Sequence, residues 1–540
     1  MLYILFSIIV LLPVFSGFGA LCGKILSAKI IKLSSKLIAG ISSLSLLLIT
    51  LAFFIPLNIY VEIPVLGIGF ISFFYFKIYK EFYDLLKWNY KIFFIFLIII
   101  IFSASFYPFI LDHFGYYVPT IKWLSEIGLV KGISNLDLLL GQMSFWHFLQ
   151  AGFSNFSDIY LRLNAVLMVV YLIYILENKS WFHLLFFPVL LLFTQSPSPD
   201  LPAIVFSLII LNKILEVNKN ANLIFAFSIF VFAIKPTMIW VPIITLLYSI
   251  FILKSNVKFL FFGLMIFCLF ILKNLYTFGF PIFPVSVFDL NLSWRPNAQL
   301  LKISSEVAIQ KTFDMQFSIS QINQFSTFDH IKNWLFLDGI KSFIHLCLIA
   351  LLTIFTFFVF KKNKKIIYFI WISILVKIIL ILLFSAQYRF FIDVFFVIFF
   401  IIFYQIFSKK LILLTTSILV IFSFLFLSFP QIIKNNVPSF KLGNYMLGIS
   451  KDQWIKPAYF KLNNYKTYKI GNLKFNIVKN YPFSFDTPIP SISPEYLKED
   501  LNAGIFPQMI TNNIKDGFIW KKLSVENERK LRKIVKDPGY

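Results

Sequence analysis

Apolar residues along this chain gather in runs of about twenty, separated by short polar connectors, and the pattern recurs from end to end. A helical run of that length crosses the ~30 Å hydrocarbon core of a bilayer. The runs lie roughly at 2–22, 37–60, 62–76, 92–110, 158–176, 181–195, 201–217, 221–234, 237–253, 259–277, 340–360, 366–384, 390–407 and 411–429. They predict an all-α polytopic membrane protein of about fourteen transmembrane helices.

Alternating the sides of these runs sorts the connectors. Counted from an outside N-terminus, Lys24, Lys29, Lys32 and Lys36 fall inside, as do Lys77, Lys80, Lys87 and Lys91. Lys254 and Lys258, the run Lys361-Lys362-Asn363-Lys364-Lys365, and Lys409-Lys410 fall there too. This is where the positive-inside rule places basic residues. The other face receives two long loops, 111–157 and 278–339, the turns around Ser196–Asp200, Lys235-Pro236 and Ser385–Arg389, and everything after about Pro430.

In loop 111–157, Val118, Ile121, Leu124 and Ile127 recur near helical spacing over Tyr117–Leu129, which predicts a helix lying in the interface, and a second helix is expected beyond it. Loop 278–339 is long for a structureless connector, so lid-like use is expected. In the C-terminal segment, Tyr465–Ile470 and Leu473–Val478 flank Gly471-Asn472, a hairpin signal with a two-residue turn. The chain thus divides into N-terminal transmembrane helices (1–91), a membrane module (92–429) and a small, partly β extracytoplasmic segment (430–540).

Composition agrees: of 540 residues 59% are hydrophobic and 14% charged. The net charge of +24 is topological and does not indicate nucleic-acid binding, because the lysines sit in short connectors between apolar runs. Cys22, Cys268 and Cys347 lie in or beside apolar runs and form no CxxC pair, which suits packing. Met1-Leu2-Tyr3 lacks the positive region of a cleaved signal, so a retained first helix is expected. The Lys, Ile, Asn and Phe bias points to an AT-rich genome and hence a bacterial inner membrane, with the polar loops facing the periplasm or exterior.

The chemistry-bearing residues collect on that outer face. Asp112, past the end of a span and followed by His113, Tyr116 and Tyr117, is placed to take a proton from an acceptor hydroxyl; it would equally serve as a boundary acid or helix cap. Asp200 opens an apolar run after Ser196-Pro197-Ser198-Pro199, where capping and function compete evenly. Lys235, Lys273 (followed by Asn274), Arg389 (preceded by Tyr388) and Arg162 are cations at one outward cleft, suited to a lipid-linked phosphate. Local pairs compete with that reading: Arg162 with Asp158, and Arg389 with Asp393. No Walker loop, GxGxxG, HExxH or GxSxG is present, and short inner connectors leave no room for a nucleotide-binding domain.

Several stretches, taken in order, are familiar: Asp112-x-x-x-Tyr116-Tyr117 through Ile121-Lys-Trp-Leu, Gly128 to Asn135, Ser196-Pro-Ser-Pro-Asp200-Leu-Pro, Ile234-Lys235-Pro, Lys273-Asn274 with Phe278-Gly-Phe-Pro-Ile-Phe-Pro284 and Trp294, and Ser385-Ala-Gln-Tyr-Arg389-Phe. Over residues 92–410 the chain resembles the GT-C superfamily of polytopic, polyprenyl-phosphate-sugar-dependent glycosyltransferases. The resemblance implies many transmembrane helices, two interfacial helices in the first large outer loop and a loop acid acting as base. Carried over, Asp112 is that base, and Lys235, Lys273 and Arg389 match basic positions near the donor phosphate. The chain departs from the pattern in having His113 where a paired acid often stands, and in three additional leading spans. The expected reaction moves a sugar, with inversion, from a polyprenyl-phosphate donor to a hydroxyl of a glycan, lipid or protein acceptor. No cofactor is required, although Asp112 and Asp200 together could hold a divalent metal. The rivals are a polysaccharide polymerase or ligase, and a lipid-linked-glycan transporter or flippase, the latter expecting paired broken helices.

Overall fold

The computed structural model describes residues 1–27, 30–440, 445–460 and 464–536; Lys29, one of the basic connector residues, lies outside them. Four helices come first: α1 (Leu2–Ile25), α2 (Leu33–Ala52), α3 (Ile59–Tyr75) and α4 (Tyr79–Ala104). A long loop carries α5 (Val118–Glu126) and α6 (Phe145–Ala151), and α7 (Leu163–Asn178) follows. A stretch of short helical turns, Trp181–Phe193, includes α8 (Phe187–Leu190). Next come α9 (Asp200–Leu215), α10 (Ala221–Ile234), α11 (Trp240–Phe251) and α12 (Leu260–Thr277). Loop 278–339 folds as α13 (Ala298–Thr312), α14 (Ile319–Ile322) and α15 (Thr327–Leu335). The bundle closes with α16 (Ile340–Lys362), α17 (Lys365–Phe384), α18 (Ile392–Phe403) and α19 (Lys409–Ser428).

Among the described residues, 7 helices are long and apolar enough to cross a membrane: α1, α2, α4, α12 with its preceding turn, α16, α17 and α19. Shorter apolar helices, including α3, α7 and α10, pack among them. These helices fit a multi-pass membrane protein. Their outer sides leave large apolar residues such as Ile71, Phe357 and Leu383 exposed, as a surface bathed in hydrocarbon requires. The boundaries move where the chain carries breakers or polar flanks. The apolar run at 92–110 stops being helical at Ala104, before Pro108, while α4 starts earlier, at Tyr79, where Glu81 pairs with Lys36 at the start of α2.

The first helices cross closely because their contact residues are small. A Cβ on Gly19 would lie 1.7 Å from the Lys36 carbonyl oxygen, and one on Gly40 the same distance from that of Phe15. Such stripes let backbones touch in a medium that offers no hydrophobic drive for helix association. The first turn of α2 is capped from another helix: Glu177 of α7 accepts from the Leu33 and Ser34 amides at 2.8 and 3.0 Å. In the first turn of α3, buried Glu62 accepts from the amides of Asn155, Phe156 and Ser157 at 2.8–3.0 Å, fixing the exit of the α6 loop.

The loop that carries Asp112 meets loop 278–339, where Asn135 donates to the Trp294 carbonyl at 2.6 Å, and the turn at Arg389, which donates to Asp112 at 2.6 Å. Two small sheets complete the chain. β1 (Tyr465–Ile470) and β2 (Leu473–Val478) pair antiparallel with Ile470 opposite Leu473, as expected of the Gly471-Asn472 turn. After α20 (Pro430–Asn436) and this hairpin come α21 (Pro494–Asn502), the pair β3 (Ile505–Met509) and β4 (Phe518–Lys522), and α22 (Val525–Val535). This segment does not stand apart from the rest. The Phe485 amide donates to the Phe114 carbonyl at 3.1 Å, Ala458 to Ser105 at 2.8 Å and Phe518 to Lys131 at 2.9 Å. The Lys515 ammonium caps the carbonyls of Ala52, Ile127 and Leu129. It therefore roofs the loop that carries Asp112.

Candidate active site

The chain around Asp112 is wound into a wide turn. His113–Tyr117 is π-helical, with the Val118 amide reaching back to His113. Pro119 follows two residues on; it has no N–H to donate and its ring crowds the carbonyl four residues before it, so an ordinary α-turn is disfavoured there. π-turns of this kind concentrate at functional sites. Asp112 does not cap the helix. Its Oδ2 accepts from Arg389 Nη1 at 2.6 Å, across 277 positions of sequence. The pair is reachable, with the two side chains 25% and 36% exposed.

Arg389 reaches this point because α17 ends at Phe384 and the chain turns through Ser385–Gln387 into a 3₁₀ turn, Tyr388–Phe391. Beside it, Lys235 is bonded to Asp200 Oδ1. Lys235 closes α10 in an extended conformation, which the following Pro236 favours. Asp200 is likewise no cap: Oδ1 faces Lys235 and Oδ2 accepts from Ser198 Oγ at 3.1 Å. Phe390 lies against both cations, its ring centroid 5.3 Å from the Lys235 ammonium and 5.1 Å from the Arg389 guanidinium. Asp112, Asp200, Lys235 and Arg389 thus form one group.

Tyr116 and Tyr117 complete it. Their rings meet edge-on at 4.6 Å, and Tyr117 Oη lies 3.4 Å from Ser198 Oγ. Burial, then the neighbouring negative charge of Asp112, pushes the Tyr116 phenol well above its ordinary pKa. Tyr117 shifts the same way, through burial and then Tyr116 and Asp112. Both stay protonated and available as donors. For Arg389, burial works against the charge, but Asp112 and then Asp200 more than offset it and raise the pKa, so the guanidinium is fixed as a cation. His113 is drawn inward: Nδ1 meets Ser196 Oγ at 3.0 Å, and burial, then Arg162, holds its pKa well below the usual value, leaving the ring neutral.

The structure does not bring Arg162 and Lys273 to this group. Arg162 is 1% exposed and gives its donors to backbone carbonyls, from Nε to Ala104 at 2.9 Å, Nη1 to Tyr160 at 2.7 Å and Nη2 to Ala458 at 2.9 Å. It is a structural clasp between α4, the chain entering α7, and the C-terminal segment. Lys273 donates to the Gln142 carbonyl at 2.7 Å, and Asn274 to that of Pro281 at 2.7 Å, so both brace the outer loops. The local pairs also differ from expectation. Asp158 takes its 2.9 Å bond from Gln150, and Asp393 is engaged by Lys377 and, at 2.7 Å, by Trp240 Nε1. Nor do the residues suit a divalent metal: Asp112 and Asp200 each already face a cation, and no group of three His, Cys, Asp or Glu converges among the described residues.

Three participants were not visible along the chain. Lys377 sits fully buried on α17 and pairs with Asp393 beneath Lys235 and Asp200. Asn164, at the start of α7, donates to the carbonyls of Phe193, Ser196 and Ser198 at 2.7–3.0 Å and so shapes the turn that presents Asp200. Phe390 is the third. An isolated Lys within an apolar run was the one available signal.

A family model described as "Domain of unknown function (DUF8201)" matches residues 1–396. The chain belongs to this family. The DUF8201 match takes in Asp112, Asp200, Lys235, Lys377, Arg389 and Asp393, and ends within α18, ahead of the roofing segment. No curated protein and no solved structure matches the chain.

Proposed function

We propose that the protein is an inverting membrane glycosyltransferase of GT-C type. It would move a sugar from a polyprenyl-phosphate donor to an acceptor hydroxyl at the bundle end that carries Asp112. The observation that carries this reading is the unfinished coordination of Arg389. A guanidinium has five N–H donors in a planar fork; Nη1 is on Asp112, while Nε is buried without a partner among the described residues. Together with Lys235, that free edge suits the oxygens of a phosphate. When a phosphate takes Arg389, Asp112 loses its partner and becomes free to accept a proton from the acceptor hydroxyl. The hydroxyl oxygen then bonds to the anomeric carbon as the C–O bond to phosphate breaks, and the electron pair departs onto the phosphate. Lys235 and Arg389 stabilise that developing charge, the term that usually dominates such steps.

In the same reading the apolar runs make about fourteen crossings, the basic connectors face the cytoplasm, and the site faces the periplasm or exterior of a bacterial inner membrane. Consistent with one inner face, Lys32 meets Asn178 at 2.6 Å and Lys409 lies over Trp181 at 3.8 Å, so separate connectors converge away from Asp112. A second reading, a lipid-linked-glycan transporter, draws on the buried Lys377–Asp393 pair, since intramembrane charges often mark transport pathways. Sugar transfer from a purified lipid-phosphate donor separates the two. Asp112→Asn is expected to lower the transfer rate by about 10²–10⁴ while leaving donor binding in place. Wild-type turnover in the folded variant would rule out Asp112 as base, and glycan translocation without covalent change would favour the transporter.

A further inference from the structure

At Tyr388, the residue before Arg389, lies a cavity of about 90 Å³ whose wall includes Thr312, Asp314, Lys341, His345, Gln387 and Tyr388. Its back wall is rigid. The His345 ring stacks on Trp334 at 4.0 Å and 16°, Trp334 Nε1 donates to the Ala386 carbonyl at 2.9 Å, and the Ala386 amide donates to Thr312 Oγ1 at 3.0 Å. Lys341 and Asp314 are bonded to each other, with the ammonium 5.3 Å from the Tyr388 ring centroid.

One ring atom of a residue that lines this cavity lacks a partner. His345 is 1% exposed, and its Nδ1 lies 2.8 Å from the Trp334 carbonyl oxygen. A carbonyl only accepts, so Nδ1 carries the hydrogen, and in the neutral ring Nε2 presents a lone pair. That Nε2 is buried with no hydrogen-bond partner. Buried polar atoms seldom remain so. A phosphate that has lost its protons offers no hydrogen to a lone pair, and neither does an acyl chain. A hydroxyl does, and its oxygen then accepts from a neighbour such as Tyr388 or Lys341. Liquid water occupies about 30 Å³ per molecule, so this space of about 90 Å³ takes a hydroxyl or hydroxymethyl arm and leaves a sugar ring outside. Tyr388 faces both ways: burial pushes its phenol pKa up, and Asp314 on the cavity side adds to Asp200 and Asp112 on the cluster side, against Arg389.

We propose that this cavity is a carbohydrate subsite, which reads one hydroxyl of the sugar through His345 Nε2. The identity of the ligand as a sugar rests on the transferase reading, but its binding is measurable without turnover. The experiment uses the full chain in lipid nanodiscs with [¹⁵N]histidine, of which there are 5. His345→Asn identifies the His345 signal by its loss. Asn places an amide N–H near the position of Nδ1 and removes Nε2, so the bond to Trp334 is kept. The probes are the methyl glycosides of glucose, galactose, mannose and N-acetylglucosamine, with glycerol and inorganic phosphate as controls.

The expected result is a saturable upfield shift of the His345 Nε2 resonance with at least one glycoside and neither control. His345→Asn, checked for an unchanged melting temperature, then weakens that glycoside by about tenfold or more. No shift with any glycoside, or an equal shift with glycerol, overturns the proposal and leaves a water-filled void. The two readings fail separately. Asp112→Asn with undiminished transfer sinks the base while leaving glycoside binding intact, whereas transfer that depends on Asp112 but shows an unchanged donor KM and acceptor KM in His345→Asn sinks the subsite. Which KM rises tells whether the hydroxyl belongs to donor or acceptor.

Discussion

Lys377 and Asp393 offer the sharpest test of how this bundle holds charge. Their side chains are 0% and 2% exposed, and the second Asp393 oxygen accepts from Trp240 Nε1 at 2.7 Å. In Lys377→Met the carboxylate keeps the indole and loses its counter-ion, with no water at that depth to replace it. Breaking a buried pair from one side costs about 3–5 kcal/mol, a factor of roughly 10² to 10³·⁵ in the folding equilibrium. Removing both charges in Lys377→Met/Asp393→Leu leaves only the Trp240 N–H unpaired, at about 1–3 kcal/mol. The double variant is therefore expected to be more stable than Lys377→Met alone. The assay is reversible unfolding in lipid–detergent micelles, followed by tryptophan fluorescence, on a double-mutant cycle. Additive single-variant losses, or a Lys377→Met loss below about 1 kcal/mol, would refute the argument that the pair is mutually compensating.

Other substitutions probe separate parts of the structure. Arg389→Lys keeps the charge and loses the planar fork, so kcat/KM for a lipid-phosphate donor is expected to fall by about 10², and unchanged kinetics would count against bidentate phosphate binding. Asp137, 2% exposed and capping the 3₁₀ turn Leu138–Gly141, has its pKa raised from 3.8 to about 7 by burial, opposed by the Leu139 amide and reinforced by Glu499 and Glu495. Below pH 4 both states hold the proton; between about pH 4 and 7 the unfolded chain releases it first, so stability falls as pH rises through that window and then levels off. The loss is at most about 4 kcal/mol, from three pK units. Asp137→Asn should gain on the wild type between pH 5 and pH 8 in denaturant unfolding, and a flat difference would show that Asp137 is ionised throughout. Gly40→Ala places a methyl against the Phe15 carbonyl; forcing α1 from α2 is expected to cost about 1–3 kcal/mol in thermal unfolding, and a neutral variant would mean that the crossing is looser than drawn.

The apolar runs alone determined that the chain is helical and built to sit in a membrane, because the length of a run and the absence of charge are local properties. The Gly471-Asn472 hairpin was equally local, set by two residues that tolerate the turn. Counting the apolar runs led to the expectation that Asp112, Asp200, Lys235 and Arg389 share one side, and the four do lie together. Whether four residues spread over 277 positions touch is another matter. Only the packing decided that Arg389 meets Asp112 rather than nearby Asp393, and that Arg162 spends its donors on backbone carbonyls instead of joining that group. Depth settled the rest. A charge in the bilayer must find a partner, and which one it finds depends on which helix faces lie opposite, so Lys377 looked like any lysine in an apolar run until α18 brought Asp393 to it.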